Sequence, residues 1–463
     1  MKEDLDHLTP LELYETIMSP DIYDHIVKET VRYATASRNK LDFVFSVDEL
    51  KSLIGILLLS NFHKLPSERH YWSKDEDLVS IVKKQCLGIN FKVGRVLCIS
   101  VIMQMQKINK GDKGFKVRSL ISSFRNHLFN MEYLRNALVS VDEMMVKYYG
   151  HNSLKQFIQV KPTRFGYKLW ARCGTSGYCY NFDLYCGKNP QLDKNDEIAL
   201  GSKVVLKMLE AVADPESHAV YFYNYFTGYE LLVHLFIGFQ ASGTHRENCL
   251  KNCTLKSTND MRKETRGSYD YRFDTNEEVL MVNWLDNKCV TVGTNYDTVE
   301  PLAKVQRWIK TSKSKGSVPQ PNAIFDYNKC MGGVDHHDWL VGKYSVSIRG
   351  KKWYWPLFIR MRDMAVVNSW IIYKLLHQGH GFTHLSLLDF KRAISEAYLK
   401  LACMEGSVGR PCGTLHSRTN FADVRYDGKD NFIEKRNNQQ RCMNKPCTAK
   451  PRTFCSKCNV TLY

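Results

Sequence analysis

The strongest constraint on this chain is a change in apolar period along its length. From Leu8 to about Asn130 apolar residues recur at helical spacing: Leu11, Leu13 and Ile17, then Ile22, Ile26, Val27 and Val31 after a break at Pro20. Ser46-Val-Asp-Glu49 is a capping-box pattern ahead of Leu50, Leu53, Ile54 and Leu57. At Leu138 the spacing becomes extended, with a strand expected over Leu138–Val146 and a hairpin built from Tyr167–Cys173, the turn Gly174-Thr-Ser-Gly177 and Tyr178–Tyr185. A helical stretch (Val204, Val205, Met208, Leu209), the short strand Ala219–Phe222 and a helix around Leu231–Phe239 follow. Strands alternating with helices imply an α/β core, in which residues at the carboxyl ends of strands tend to build the site.

Residues 249–321 differ. A strand pair, Glu278–Trp284 and Cys289–Gly293, sits among basic loops and reads as an insertion. Helical spacing returns from Asp335 to about Met404, including Leu357–Leu376, and the last forty or so residues are polar and cysteine-bearing.

Several function classes drop out on composition. The 463 residues are 44% hydrophobic and 12% aromatic, which suits a chain with a packed core rather than a disordered one. Met1-Lys-Glu-Asp-Leu-Asp-His7 lacks the basic and apolar pattern of a signal peptide. The longest apolar run, Leu53–Leu59, falls far below the roughly 18 residues a membrane span needs. Fifteen cysteines without a targeting segment suggest reduced thiols and a metal site rather than a disulfide framework. Cys86, Cys98, Cys173, Cys179 and Cys289 lie in apolar segments and read as core residues. The formal net charge of +17 points to a polyanion, nucleic acid before membrane, although improved solubility is the plainer explanation.

Charge is concentrated in two places. Residues 301–325 carry Lys304, Arg307, Lys310, Lys313 and Lys315, and the run from Lys343 to Arg362 carries Lys343, Arg349, Lys351, Lys352 and Arg360 interleaved with Tyr344, Trp353, Tyr354 and Trp355. Such residues would neutralise phosphates with a steep salt dependence; the alternative is a solvated basic face over buried aromatics. In the tail, Cys442, Cys447, Cys455 and Cys458 form two pairs suited to a tetrahedral Zn²⁺ site, with free thiols as the alternative.

Ser140-Val-Asp-Glu143 can be a strand end that presents Asp142, either as a metal-binding acid of a nucleotidyl-transfer site or as an ordinary turn carboxylate. Its context shifts the balance toward the first. Tyr149-Gly-His-Asn-Ser-Leu-Lys-Gln156, Val160-Lys-Pro-Thr-Arg-Phe-Gly-Tyr-Lys168, Gly243-Thr-His-Arg-Glu-Asn248, Arg266-Gly-Ser-Tyr-Asp-Tyr271, Tyr327-Asn-Lys-Cys-Met-Gly-Gly-Val-Asp-His-His-Asp338 and Arg349-Gly-Lys-Lys-Trp-Tyr-Trp-Pro356 follow in order. Together with Leu8-Thr-Pro-Leu-Glu-Leu13 and His70-Tyr-Trp-Ser73 they make the chain resemble the piggyBac transposase family over nearly its whole length.

The resemblance implies an α/β RNase H-like core of the DDE/DDD class with an insertion, flanked by a split α-helical domain for dimerisation and DNA binding, and a short Cys-rich tail. On that plan residues 1–136 are the first part of the helical domain, 137–248 the first part of the core, 249–321 the insertion, 322–340 the last part of the core, 341–415 the second helical part and 416–463 a linker with a zinc-finger-like tail. Family members usually continue the tail with further Cys and His ligands, whereas this sequence stops at Tyr463.

The family's first and third acids fall on Asp142 and Asp335, with a further acid at Asp338. Its second lies in a stretch that typically reads Phe-Asp-Asn-Phe-Phe-Thr; here the residues are Phe222-Tyr-Asn-Tyr-Phe-Thr227, so Tyr223 stands in place of aspartate. A phenol is neutral near pH 7 and a poor ligand for a hard divalent cation. Asn224 is expected to face away, and Asp183 would compensate only if its strand lay beside the first. His336 and His337 are expected to make polar contacts rather than bind metal. Packing is the default for the Lys161–Gly166 segment, with DNA contact as the alternative.

The resulting expectation is a nuclear, homodimeric, domesticated piggyBac-derived protein that binds transposon-end-like or chromatin DNA, with Mg²⁺ weak or absent at Asp142 and Asp335 and without cleavage. Two alternatives stay open: an active Mg²⁺-dependent cut-and-paste transposase using another acid, and a dimerising partner-binding protein with only non-specific DNA affinity.

Overall fold

The computed structural model describes residues 7–38, 43–66, 70–71, 113–130, 137–159, 161–187, 199–236, 238–247, 250, 253–310, 312–346, 348, 350, 352–378, 384–404, 432–442, 447–456 and 461. Arg349, Lys351, Cys458, Cys86 and Cys98 lie outside the described residues. Two compact units are present, residues 1–405 and 406–463.

In the first unit, helices α1 (Pro10–Ile17), α2 (Pro20–Arg38), α3 (Val47–Leu59) and α4 (Phe115–Asn130) precede the sheet. Thr9 and Ser46 both close capping boxes, each side chain accepting from the backbone N–H three residues on while Glu12 and Glu49 reach back. Each cap satisfies donors that a helix end leaves open, a contribution of about 1 kcal/mol. The expected capping box at Ser46 is therefore present.

The sheet follows as β1 (Leu138–Lys147), β2 (Gln156–Phe157), β3 (Phe165–Gly174), β4 (Cys179–Leu184), α5 (Leu200–Leu209), β5 (Ala219–Phe222), α6 (Tyr229–Phe236), β6 (Gln240–His245), α7 (Thr258–Met261), β7 (Tyr269–Asp274), β8 (Val279–Leu285) and β9 (Cys289–Thr294). Strand order is β2-β3-β1-β5-β6-β9-β8-β7, with β4 also paired to β3. The β1–β3 and β3–β4 pairs are antiparallel, whereas β1, β5 and β6 run parallel. The parallel crossovers run through α5 and α6, as the alternation of strand and helix spacing requires.

The strand pair at 278–293 does not stand apart, because β9 pairs antiparallel with β6 and continues the sheet through β8 to β7. A separate two-stranded ribbon, β10 (Ala303–Ile309) with β11 (Ser314–Gln320), carries the basic segment. Helices α8 (Asn322–Cys330), α9 (Gly333–Lys343), α10 (Trp355–Leu376) and α11 (Leu387–Met404) complete the unit.

The amino-terminal and carboxyl-terminal helices share one core. Tyr14, Tyr23, Ile54, Phe390 and Tyr398 are buried together with sheet residues such as Val141 and Phe222. Tyr23 and Tyr398 exchange a hydroxyl hydrogen bond of 2.6 Å, and Ser395 donates to the Gly55 carbonyl at 2.8 Å. Asp363 on α10 is held between Arg362, at 2.6 Å, and Lys391 of α11, at 3.6 Å, in a fully buried ionic cluster. Removing Asp363 from such a cluster costs several kcal/mol, because Arg362 and Lys391 would then stay buried without a counter-charge.

Cys173 and Cys179 are buried, as expected of core thiols, and Cys289 is half-buried. No helix among the described residues is long and apolar enough to cross a membrane. In the second unit, β12 (Ile433–Lys435) pairs with β13 (Thr453–Cys455), and the Arg436 guanidinium lies over the Phe454 ring at 4.0 Å.

Candidate functional site

Parallel register brings the candidate site together. Val141 and Phe222 are the last partners across β1 and β5, so Asp142 is the next residue along β1 and Tyr223 the first residue past the end of β5. Asp142 is only 2% exposed.

Asp335 arrives from the other side, on the first turn of α9. That helix can approach β1 and β3 closely because it begins at Gly333: a β-carbon there would lie 2.4 Å from the Gly174 carbonyl oxygen and 2.8 Å from Ser140 Oγ. Ser140 Oγ accepts from the Val334 N–H at 3.2 Å, satisfying one of the open donors of the helix start. The Ser140 side chain thus locates Asp335 over the strand that carries Asp142.

The Tyr223 hydroxyl donates to Asp335 Oδ2 over a long 3.5 Å. Burial first, then the charges of Asp335 and Asp142, push this phenol up to about 12, so it is neutral at physiological pH. Burial likewise raises the Asp142 carboxyl well above the ordinary carboxylate range, opposed by the nearby Lys161 ammonium.

Lys161 is the residue that sequence spacing missed. Its Nζ lies 3.2 Å from Asp142 Oδ2, 3.8 Å from Asp335 Oδ1 and 3.3 Å from the Glu143 carbonyl oxygen. Burial pulls this ammonium down, but Asp142, Glu143 and Asp335 together outweigh that effect and raise it, so it stays charged. In the segment between β1 and β3, β2 pairs with the start of β3, and the Lys161 side chain that follows reaches the Asp142 carboxylate.

The remaining predicted groups are elsewhere. Asp338 is ion-paired to Arg360 on α10. Asn224 Oδ1 accepts from Nε and Nη2 of Arg246, each at 3.2 Å, in keeping with the expectation that it faces away from Asp142. Asp183 does not join the site: β4 pairs with β3, not β1, and Asp183 lies across from Trp170, which in turn lies across from Glu143. It is therefore on the opposite face from Asp142, held by Lys207 at 2.6 Å and Arg118 at 3.5 Å. His337 is fully buried, with its Nδ1 2.7 Å from the Gly177 carbonyl, and His336 stacks on Trp339.

The basic residues divide between two roles. On β10 Lys304 is exposed, and Lys310 is exposed just past the strand end. Arg307 is turned the other way, its Nε donating to Asp286 Oδ2 at 3.0 Å while Arg266 holds the same carboxylate. Exposed Trp308 lies across the ribbon from Lys315. Lys343 sits over the Trp339 ring at 5.0 Å, and Lys352 is exposed beyond it.

The donor set therefore comprises two carboxylates, a neutral phenol and an ammonium. A pair of hard divalent ions requires carboxylates placed to bridge them. This set offers two carboxylates and carries a cation of its own. In the tail Cys442 is buried and Cys447 and Cys455 are half-buried. Among the described residues, no group of three or more His, Cys, Asp or Glu could hold a metal ion.

Comparison with known proteins places this geometry. Residues 9–370 match the family model described as Transposase IS4. PiggyBac transposable element-derived protein 3 of Homo sapiens is 33% identical over 462 residues, 98% of this chain and 75% of that protein. The chain belongs to the piggyBac transposase family. Human PiggyBac transposable element-derived protein 2 is 29% identical over 455 residues, covering 95% of this chain and 73% of the relative. A cryo-EM structure of the piggyBac transposase synaptic complex with hairpin DNA aligns with a TM-score of 0.69 at 19% identity, covering 88% of this chain and 84% of that one. The mixed sheet of this piggyBac-family chain, with antiparallel β3–β1 followed by parallel β5 and β6, fits the RNase H-like core of a transposase.

Proposed function

We propose that this piggyBac-family chain is a transposase-derived DNA-binding protein that holds DNA without cutting or joining it. The observation that carries the reading is the neutral Tyr223 phenol just past the end of β5, its hydroxyl 3.5 Å from Asp335 Oδ2 and within reach of the Asp142 charge. Asp142, Asp335 and Asp338 are, on this reading, the remnant of the catalytic acids. An in-line attack on a phosphodiester by metal-activated water needs carboxylates that this set does not supply.

DNA binding is supported by the exposed cations of the β10–β11 ribbon and of the α9–α10 junction, by the net charge of +17, and by the structural likeness to a transposase captured on DNA. Lys304, Lys310, Lys343 and Lys352 are the assigned phosphate contacts. Arg307 is better assigned to the base of the ribbon, since Asp286 already neutralises it. Homodimerisation through the packed terminal helices and a nuclear location complete the proposal.

The test is equilibrium binding of the full chain to duplex DNA across a salt series. Phosphate neutralisation predicts that log K falls linearly with log salt, by roughly 0.9 for each phosphate contacted. A chain that fails to bind duplex DNA at low salt would refute the reading.

A further inference from the structure

The acidic remnant retains a buried carboxylate that needs a counter-charge, and the structure supplies one from within the chain. Asp142 is almost completely buried, and leaving such a carboxylate unpaired in a core costs several kcal/mol. A divalent ion would meet that need in a metal-dependent nuclease. Here Lys161 Nζ reaches Asp142 Oδ2 at 3.2 Å and Asp335 Oδ1 at 3.8 Å, bridging acids from a strand and a helix. Among the described residues no other cation is ion-paired to either acid.

The other nearby groups are spoken for. Lys168 Nζ lies over the Trp170 ring at 3.8 Å and 4.0 Å from Glu143 Oε2, on the face opposite Asp142. Arg360 is paired with Asp338. Tyr223 fills the third side of the site with a neutral group that donates to Asp335 rather than coordinating a cation.

We propose that the Lys161 ammonium is a fixed internal cation occupying the position between Asp142 and Asp335, where it neutralises the buried Asp142 carboxylate and makes the site indifferent to metal. The proposal deepens the reading of the chain as a DNA-binding protein without cleavage, since it identifies what replaces the metal in that site. A tethered monovalent cation preserves the fold around Asp142 while offering no open coordination position to water or phosphate. Lys161 is then a positioning residue, fixing the two acids relative to each other.

The test uses the full-length chain, Mn²⁺ binding followed by the loss of its free electron paramagnetic resonance signal, and thermal unfolding with and without MgCl₂. The native protein should show no Mn²⁺ binding that Asp142→Asn abolishes, and MgCl₂ should leave its unfolding midpoint unmoved. Lys161→Met should unfold at lower temperature, recover most of the loss in MgCl₂, and bind Mn²⁺ at least tenfold more tightly than the native chain, an affinity that Asp142→Asn removes. Lys161→Arg, which keeps the charge, should behave as native.

Native Mn²⁺ binding that depends on Asp142 would overturn the proposal, as would a Lys161→Met protein whose folding MgCl₂ does not rescue. DNA binding by the native chain, measured alongside, separates the two readings: its loss would refute the DNA-binding function, whereas the metal results bear on Lys161 alone.

Discussion

The Tyr223 hydroxyl and Asp335 Oδ2 lie 3.5 Å apart, so a phenol touches one of the two acids it would have to join in holding metal. Substituting Tyr223→Asp places a third carboxylate next to Asp335 and Asp142. That adds negative charge and hard oxygen donors where a neutral group stood. The variant is expected to bind Mn²⁺ at least tenfold more tightly than the native protein, and calorimetric titration of the two proteins checks this. It should also be less stable in metal-free buffer, because two like charges then face Asp142.

Gly333 is the contact point between α9 and the sheet. A β-carbon there meets the Gly174 carbonyl oxygen at 2.4 Å, and backbone cannot give way as a flexible side chain can. Gly333→Ala should therefore lower stability by about 1–3 kcal/mol, the usual range for overpacking. Because the cause is a steric clash with backbone rather than a charge interaction, chemical denaturation should show the loss at low and high salt alike.

His245 on β6 is 8% exposed, with no hydrogen-bond partner for either ring nitrogen among the described residues, close to Leu232 and Met281 around Gly293. Burial lowers its pKa from 6.5 to about 4. The unfolded chain then binds a proton below about pH 6.5 that the folded chain refuses until about pH 4. Stability that is present above pH 6.5 is thus lost as pH falls through this window, by on the order of 3 kcal/mol. In His245→Leu that part of the slope should vanish. Unfolding free energies of native and variant proteins, compared at pH 7 and pH 4.5, measure it as a difference that other titrating groups share and cancel.

The ribbon separates phosphate contact from internal support. Replacing Lys304 and Lys310 together with Ala should weaken DNA binding for all sequences and reduce the slope of log K against log salt by roughly 1 for each phosphate left without its cation. Arg307→Ala should instead leave the salt slope unchanged and destabilise the fold, since it strips Asp286 of one of its two partners. Binding isotherms at several salt concentrations distinguish the two outcomes.

Local pattern was enough to reveal the elements that build the site. The extended segment Leu138–Val146 and the short run Ala219–Phe222 correspond to β1 and β5, and the spacing around Asp335 corresponds to α9. What local pattern could not carry was return geometry. Nothing in Lys-Pro-Thr-Arg-Phe-Gly shows that Lys161 comes back to Asp142, because that depends on how the segment between β1 and β3 folds over the sheet. The pairing of β9 with β6, which joins the segment after residue 249 to the sheet, is likewise a long-range event. The orientation of Arg307 was legible in principle: Lys304 and Arg307 are three apart on a strand, and an odd spacing puts them on opposite faces. Asp183 shows the same rule on β4, where its row falls opposite that of Asp142.

The most direct test of the central claim is nicking of supercoiled DNA, and of DNA bearing piggyBac-type terminal repeats, by the native full-length chain in Mg²⁺ or Mn²⁺, with DNA binding measured in the same samples. The account predicts that the native protein binds both substrates and leaves them intact. Metal-dependent nicking by the native protein that Asp142→Asn abolishes would contradict it.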